Sequence, residues 1–243
     1  MNPAGARRPR AGDLLRTLLA LAAILPGLAA GIGVLVRTGN RRRAINRALD
    51  LWGRQGLAAA GVKLAVEGAE HLDQPRPAVF ILNHQSGIDP ILVCALLRRD
   101  IVPLAKQEIR RNPILGPAFA FAGVVFVDRG DRARAAKALA PVVERLRQGW
   151  SVAMAPESTR SPSAEPGRFH LGAFRLAVAA GVPIVPIVIH DAGLVLPRRG
   201  LVMRAGTVHV VVHPPIATRG WDPDDLTHHA EEMRELYRRT LAG

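Results

Sequence analysis

A histidine and an aspartate five residues apart, His84 and Asp89, lie in the short stretch Asn83-His84-Gln85-Ser86-Gly87-Ile88-Asp89-Pro90. A neutral imidazole that titrates near working pH can take a proton from a hydroxyl as that oxygen attacks a carbonyl. A carboxylate on its other ring nitrogen fixes the tautomer and stabilises the imidazolium that forms. Spacing alone leaves a plainer role open, with Asp89 capping a helix and His84 satisfying turn backbone. Two more polar clusters accompany the pair, Asp128-Arg129-Gly130-Asp131 and Pro156-Glu157-Ser158-Thr159-Arg160-Ser161. Arginine forks beside turn N–H groups suit a phosphate. Glu157 suits orienting one of those arginines or accepting a hydrogen bond from a substrate hydroxyl. Taken singly, Arg129 between two aspartates reads as a solvated ion pair worth about 0–1 kcal/mol, and Glu157 with Arg160 as a turn pair.

The elements around these clusters give them a common setting. Val79-Phe80-Ile81-Leu82 reads as a buried strand ending at the His84 turn, and Asp89-Pro90 reads as an N-cap and first helical residue before the apolar Ile91–Leu97. Further strands are expected at 62–66, 101–105, 123–127, 151–155, 182–189 and 207–212, and Pro183 and Pro186 mark 182–189 as bulged or near an edge. Helices are expected at 132–148, with Ala135, Leu139, Val142, Val143 and Leu146 on one face, and at 172–180. A closing helix is expected from Asp222-Pro223, with Leu226, Met233, Leu236 and Leu241 inward. Alternating strands and helices predict an α/β fold: a mixed, largely parallel sheet covered by helices on both faces. Each polar cluster follows a strand, so parallel strands would gather all three on one rim, where open α/β sheets bind ligands.

The 243 residues suit one α/β domain, taken as residues 61–243, preceded by an N-terminal helical region, residues 1–60. The formal charge of +13 is carried almost wholly by arginine, Lys63, Lys106 and Lys137 being the only lysines. Such a balance favours an anionic partner. Without an RNP-type aromatic strand or a Cys/His finger, a membrane surface or a phosphorylated substrate is expected rather than nucleic acid. The lone Cys94 falls in the apolar helix 91–97 and reads as a core thiol. The histidines at 170, 190, 209, 213, 228 and 229 lack zinc-site spacing, so no metal is expected.

Residues 17–36 form an uncharged apolar stretch of about membrane-spanning length. Arginines at 7, 8, 10 and 16 precede it and arginines at 37, 41, 42, 43 and 47 follow it, so both ends favour the cytoplasmic side. With Pro26-Gly27 near the middle, a helix–turn–helix dipping into one leaflet is preferred over a single kinked span. A signal peptide cleaved near residues 27–30 competes, and the arginines beyond it argue against export. The segment 41–60 reads either as a basic helix lying on headgroups, with Trp52 at the interface, or as an ordinary packed helix.

Four blocks in this order resemble those of the glycerophospholipid acyltransferase family: Asn83-His84 with Asp89, Gly123-Val124-Val125-Phe126-Val127-Asp128-Arg129, Pro156–Ser161, and Val182-Pro183-Ile184-Val185-Pro186-Ile187. Within it they most resemble the 1-acylglycerol-3-phosphate acyltransferases, over roughly residues 62–217. The resemblance implies transfer of a fatty acyl group from acyl-CoA or acyl carrier protein to the sn-2 hydroxyl of a lysophosphatidate, giving phosphatidic acid at the cytoplasmic face of the inner membrane. The thioester would be a co-substrate, with no cofactor. It also implies that His84 is the base and Asp89 its partner, and that Arg129, Glu157, Ser158, Thr159 and Arg160 bind the acceptor. Departures stand at Ala155, Ser158 and His170, where the family usually has Phe, Gly and a nearby Lys. Transfer is expected in one step, without an acyl-enzyme, although Ser86 stays a minor candidate nucleophile. Two alternatives remain: another lyso-lipid acceptor, such as a lyso-ornithine lipid, and a non-catalytic protein that binds anionic membranes.

Overall fold

Four consecutive apolar residues buried on both faces, Val79 to Leu82, make strand β2 the middle of the molecule. The computed structural model describes residues 10–243 apart from 74–75, 103, 114, 122, 128–131, 158–164 and 199. In chain order its strands are β1 (Val62–Glu67), β2 (Val79–Leu82), β3 (Ile101–Val102), β4 (Leu104–Lys106), β5 (Val125–Val127), β6 (Ser151–Met154), β7 (Ile184–His190) and β8 (Gly206–Val212). The helices are α1 (Ala11–Ala22), α2 (Ile24–Thr38), α3 (Arg41–Ala60), α4 (Asp89–Leu97), α5 (Leu115–Phe121), α6 (Arg132–Arg147), α7 (Gly172–Ala180), α8 (Ala192–Val195) and α9 (Leu226–Ala242).

Six strands form the main sheet in the order β1-β8-β7-β2-β6-β3. Neighbours are parallel except β7 and β8, so the sheet is mixed and largely parallel, as expected. β4 and β5 pair separately in a two-stranded sheet. The segment expected as one strand at 101–105 is therefore two short strands in two sheets. Helices α7 and α9 pack on one another and over β2 and β7, while α3 lies along α4.

Strand β7 corrects the reading of its prolines as a bulge or an edge. Its prolines pointed to an edge, yet it lies between β8 and β2. Pro186 is tolerated there because its carbonyl, facing the β8 side, accepts from His213 N just past the end of that strand, so the missing N–H falls outside the ladder. The bulge expected within β7 lies instead on the segment that follows β8. From the Ile187–Val212 pair to the Ile184–Ile216 bridge the chain steps three residues on β7 and four on its partner. The closing helix begins at Leu226 rather than at Asp222-Pro223, which instead form a turn in which Asp225 N donates to Asp222 O at 3.1 Å.

The N-terminal region is built differently from the expected dip within residues 17–36. α1 and α2 run on in one direction, broken only at Ala23, and the return stroke is α3. Pro26 occupies the first turn of α2, where its missing N–H is no loss, while its ring displaces the carbonyl four residues earlier and so breaks the helix there. Gly39, at φ 64°, and Asn40, whose side chain accepts from Arg43 N at 3.0 Å, make the turn into α3. The two arms touch through glycine: a Cβ at Gly27 or Gly31 would lie 2.8 Å from the carbonyl oxygen of Ala48 or Ala44. Trp52 packs beside Gly27, so this face of 41–60 is packed against α2. The outer face of α1 and α2 leaves Leu14, Leu15, Leu18, Leu19, Leu21, Leu25, Ile32 and Val36 at least half exposed. Ala11–Thr38 is long and apolar enough to cross a membrane.

One arginine of the basic run, Arg42, acts as a fastener although its side chain stays 41% exposed. Arg42 donates to Asp100 Oδ1 at 2.6 Å and to the carbonyls of Gln148 and Gly149, and lies over the Trp150 ring. Asn46 and Asp100 exchange two hydrogen bonds of 2.8 Å beside it. One side of α3 is thereby locked to the α/β domain.

Candidate active site

The chain leaves β2 through Asn83 and turns at His84 into α4. His84 Nδ1 lies 2.5 Å from Asp89 Oδ2, the two-residue pairing anticipated from spacing. The same oxygen accepts the backbone N–H groups of Gln85 and Ser86 at 3.1 and 3.2 Å. Asp89 is not the N-cap as expected: Ile88 takes that position and Asp89 is the first helical residue, its carboxylate turned back over the loop. This placement suits an anion near a helix N-terminus. Asp89 is buried, its Oδ1 without a hydrogen-bond partner among the described residues, whereas the His84 side chain keeps 29% of its surface. With Nδ1 held, Nε2 is the nitrogen left to exchange a proton with a substrate.

Three neighbours hold this turn, and sequence reading assigned none of them that task. Asn83, 1% exposed, extends the sheet by side chain: Nδ2 donates to Ile189 O at 2.9 Å and Oδ1 accepts from Ile189 N at 2.7 Å. Tyr237 from α9 stands between the same two strands, its hydroxyl donating to Ile81 O at 2.6 Å and accepting from Ile187 N at 3.1 Å. Burial drives that phenol far above its usual range, the Ile187 N–H opposing and Glu157 adding to the shift. The usable signal was that the chain's single tyrosine falls one helical turn after Met233 on the inward face of α9. Ser86 is fully buried and donates to Leu196 O at 2.7 Å, which removes it as a nucleophile. Cys94 is buried in α4, and burial pushes its thiol up to about 12, far from a reactive thiolate.

Glu157 follows β6, which lies directly beside β2 and parallel to it, so Glu157 and the His84 turn share one end of the sheet. It is 6% exposed, and neither carboxylate oxygen has a hydrogen-bond partner among the described residues. Burial raises its carboxyl to about 7, with the backbone of His84 pulling it down and Asp89 pushing it up. Of the expected acceptor-binding set, Arg129, Ser158, Thr159 and Arg160 lie outside the described residues. The expected common rim is thus observed for His84, Asp89 and Glu157. The third cluster follows β5, which belongs to the smaller sheet. No group of three or more His, Cys, Asp or Glu side chains that could hold a metal occurs among the described residues.

An imidazole oriented by a buried carboxylate, at the carboxyl end of parallel strands and with no nucleophilic Ser or Cys beside it among the described residues, can deprotonate a hydroxyl delivered by a substrate. Residues 63–190, more than half the chain, match the Acyltransferase family model, and the chain belongs to that family. It is similar to "1-acyl-sn-glycerol-3-phosphate acyltransferase alpha" of Homo sapiens, 35% identical over 175 residues that cover 72% of this chain and 62% of that one. The protein of that name from Ovis aries is also 35% identical over 175 residues, with 72% and 61% covered. The chain thus spans about three fifths of the length of these relatives. Among solved structures it resembles the 1-acyl-sn-glycerophosphate (LPA) acyltransferase PlsC of Thermotoga maritima, at TM-score 0.75 and 26% identity over 95% of both chains.

Proposed function

We propose that this protein transfers a fatty acyl group from a thioester to the sn-2 hydroxyl of 1-acylglycerol-3-phosphate, forming phosphatidic acid for phospholipid synthesis. The observation that carries the reading is the His84–Asp89 pair, 2.5 Å apart. The names of the relatives supply the acceptor. In the reaction, His84 Nε2 removes the acceptor proton, the alkoxide oxygen bonds to the thioester carbonyl carbon, and the C–S bond breaks as the tetrahedral intermediate collapses. The imidazolium returns its proton to the departing thiolate, while Asp89 stabilises the charge on the ring. A positioned base of this kind contributes about 10²–10⁴ in rate. Arg129 and Arg160 take the acceptor phosphate, with Glu157, Ser158 and Thr159 completing its seat. The donor is acyl-CoA or acyl-ACP, and no cofactor takes part.

The enzyme works at the cytoplasmic face of the inner membrane, its exposed α1–α2 leucines in the lipid and its flanking arginines among anionic headgroups. The test is a product assay. Purified full-length protein is given each lyso-lipid of a panel, including a lyso-ornithine lipid, with acyl-CoA or acyl-ACP, and products are read by mass. Phosphatidic acid from 1-acylglycerol-3-phosphate is the expected product; acylation of another lyso-lipid alone overturns the acceptor assignment.

A further inference from the structure

Outside α1 and α2, two large apolar side chains stand out among the described residues: Leu194, 70% exposed, and Leu201, 88% exposed. Both belong to the segment joining β7 to β8, where Val202 is half-buried and three other large apolar residues are turned inward. Val195, Leu196 and Met203 are all under a tenth exposed. The frame that holds the two leucines out is tied down at several points. Arg204 N donates to Val195 O at 2.8 Å, closing the segment on itself, and Ser86 Oγ in the His84 turn donates to Leu196 O at 2.7 Å. Met203 N donates to Thr17 Oγ1 of α1 at 2.7 Å. Ala205 packs at Gly61, beside Arg16.

These ties explain an oddity of α1. Asp13 and Thr17 are buried polar residues on a leucine-rich helix, and Thr17 is buried because it meets this segment. The rest of α1 turns Leu14, Leu15, Leu18, Leu19 and Leu21 to the outside. Leu201 stands two residues before Met203, whose N–H meets Thr17 of α1, and Arg198 and Arg204 flank it in sequence. An ordered frame that exposes leucines among arginines, next to a leucine-covered helix, fits an anionic lipid surface.

Resting on the membrane reading above, we infer that residues 192–198 and 200–204 form a second bilayer contact, with Leu194 and Leu201 entering the leaflet that receives α1 and α2. The contact holds the Ser86–Leu196 end of the catalytic turn at the headgroup level, where a lyso-lipid hydroxyl would be presented.

The test uses the full chain and vesicles of equal parts phosphatidylglycerol and phosphatidylethanolamine. The double variant Leu194→Gln/Leu201→Gln is expected to partition about tenfold or more less tightly than the wild type, since two fully inserted leucines are lost. Acylation of a monomeric short-chain lyso-lipid without vesicles stays unchanged. Wild-type partitioning by the double variant overturns the inference. Independently, Leu201→Cys carries an environment-sensitive thiol dye, because Cys94 is buried. A blue shift on adding vesicles is expected. No shift while the protein sediments with vesicles overturns the inference, as does a shift that follows protein concentration without lipid, which would mark a second copy as the occupant. Neither binding readout requires turnover, so an inactive wild type would defeat the proposed reaction and leave this result standing.

Discussion

Asn83 and Ile189 are joined by two hydrogen bonds, of 2.9 and 2.7 Å, that continue the β2–β7 ladder by one side chain beyond the last paired residue of β2. The residue before the catalytic histidine is therefore fixed to the centre of the sheet.

Truncating that side chain leaves the Ile189 N–H and C=O buried and unpaired, at about 1–3 kcal/mol each. Asn83→Ala should lower unfolding stability by roughly 2–6 kcal/mol. At permissive temperature it should depress kcat more than it raises KM, because His84 loses its support. Urea unfolding and steady-state kinetics check both. A stable variant with normal kcat would remove Asn83 from the positioning of the site.

Asp89→Asn keeps the shape and the capacity to accept from Gln85 and Ser86 N–H, but removes the charge that stabilises the imidazolium. Acyl transfer should fall by about 10²–10⁴ with a nearly unchanged melting temperature. Retention of most activity would mean that Asp89 only shapes the helix entrance.

Glu157 makes stability depend on pH in a defined direction. Its carboxyl rises from 4.5 to about 7 on folding, mainly through burial, so the folded state binds its proton more tightly than the unfolded state. The contribution is fully present below pH 4.5 and is lost as pH rises through about 7. Glu157→Gln cannot ionise and should lack this slope, the gap between the two proteins changing by up to about 3 kcal/mol across the window. Urea midpoints for both proteins at successive pH values measure it. Parallel profiles would contradict the burial of an ionisable Glu157.

Local patterns were legible wherever one physical cause dominated. The run Val79–Leu82 is apolar because β2 is buried on both faces, and the His84–Asp89 spacing closes because a strand-to-helix turn brings i and i+5 together. The alternation of strands and helices likewise gave the mixed, largely parallel sheet. Tertiary context decided the rest. The prolines of β7 looked like edge signals, but whether a missing N–H costs anything depends on which side of the strand it faces and where the neighbouring strand ends. Pro26 predicted a break, which falls three residues earlier at Ala23, and the return stroke comes from α3. Arg42 counted as surface charge although Asp100 and two carbonyls claim it, 58 and more residues away in sequence. Tyr237 joins β2 to β7 across 156 and 50 residues, a pairing that no local window contains.

The central claim is that His84 is the base that moves the acceptor proton. It is tested most directly by comparing single-turnover acyl transfer to 1-acylglycerol-3-phosphate in the wild type and in His84→Ala, with vesicle binding measured in parallel. The account predicts transfer slower by about 10²–10⁴ at unchanged vesicle binding; transfer within a few-fold of wild type would contradict it.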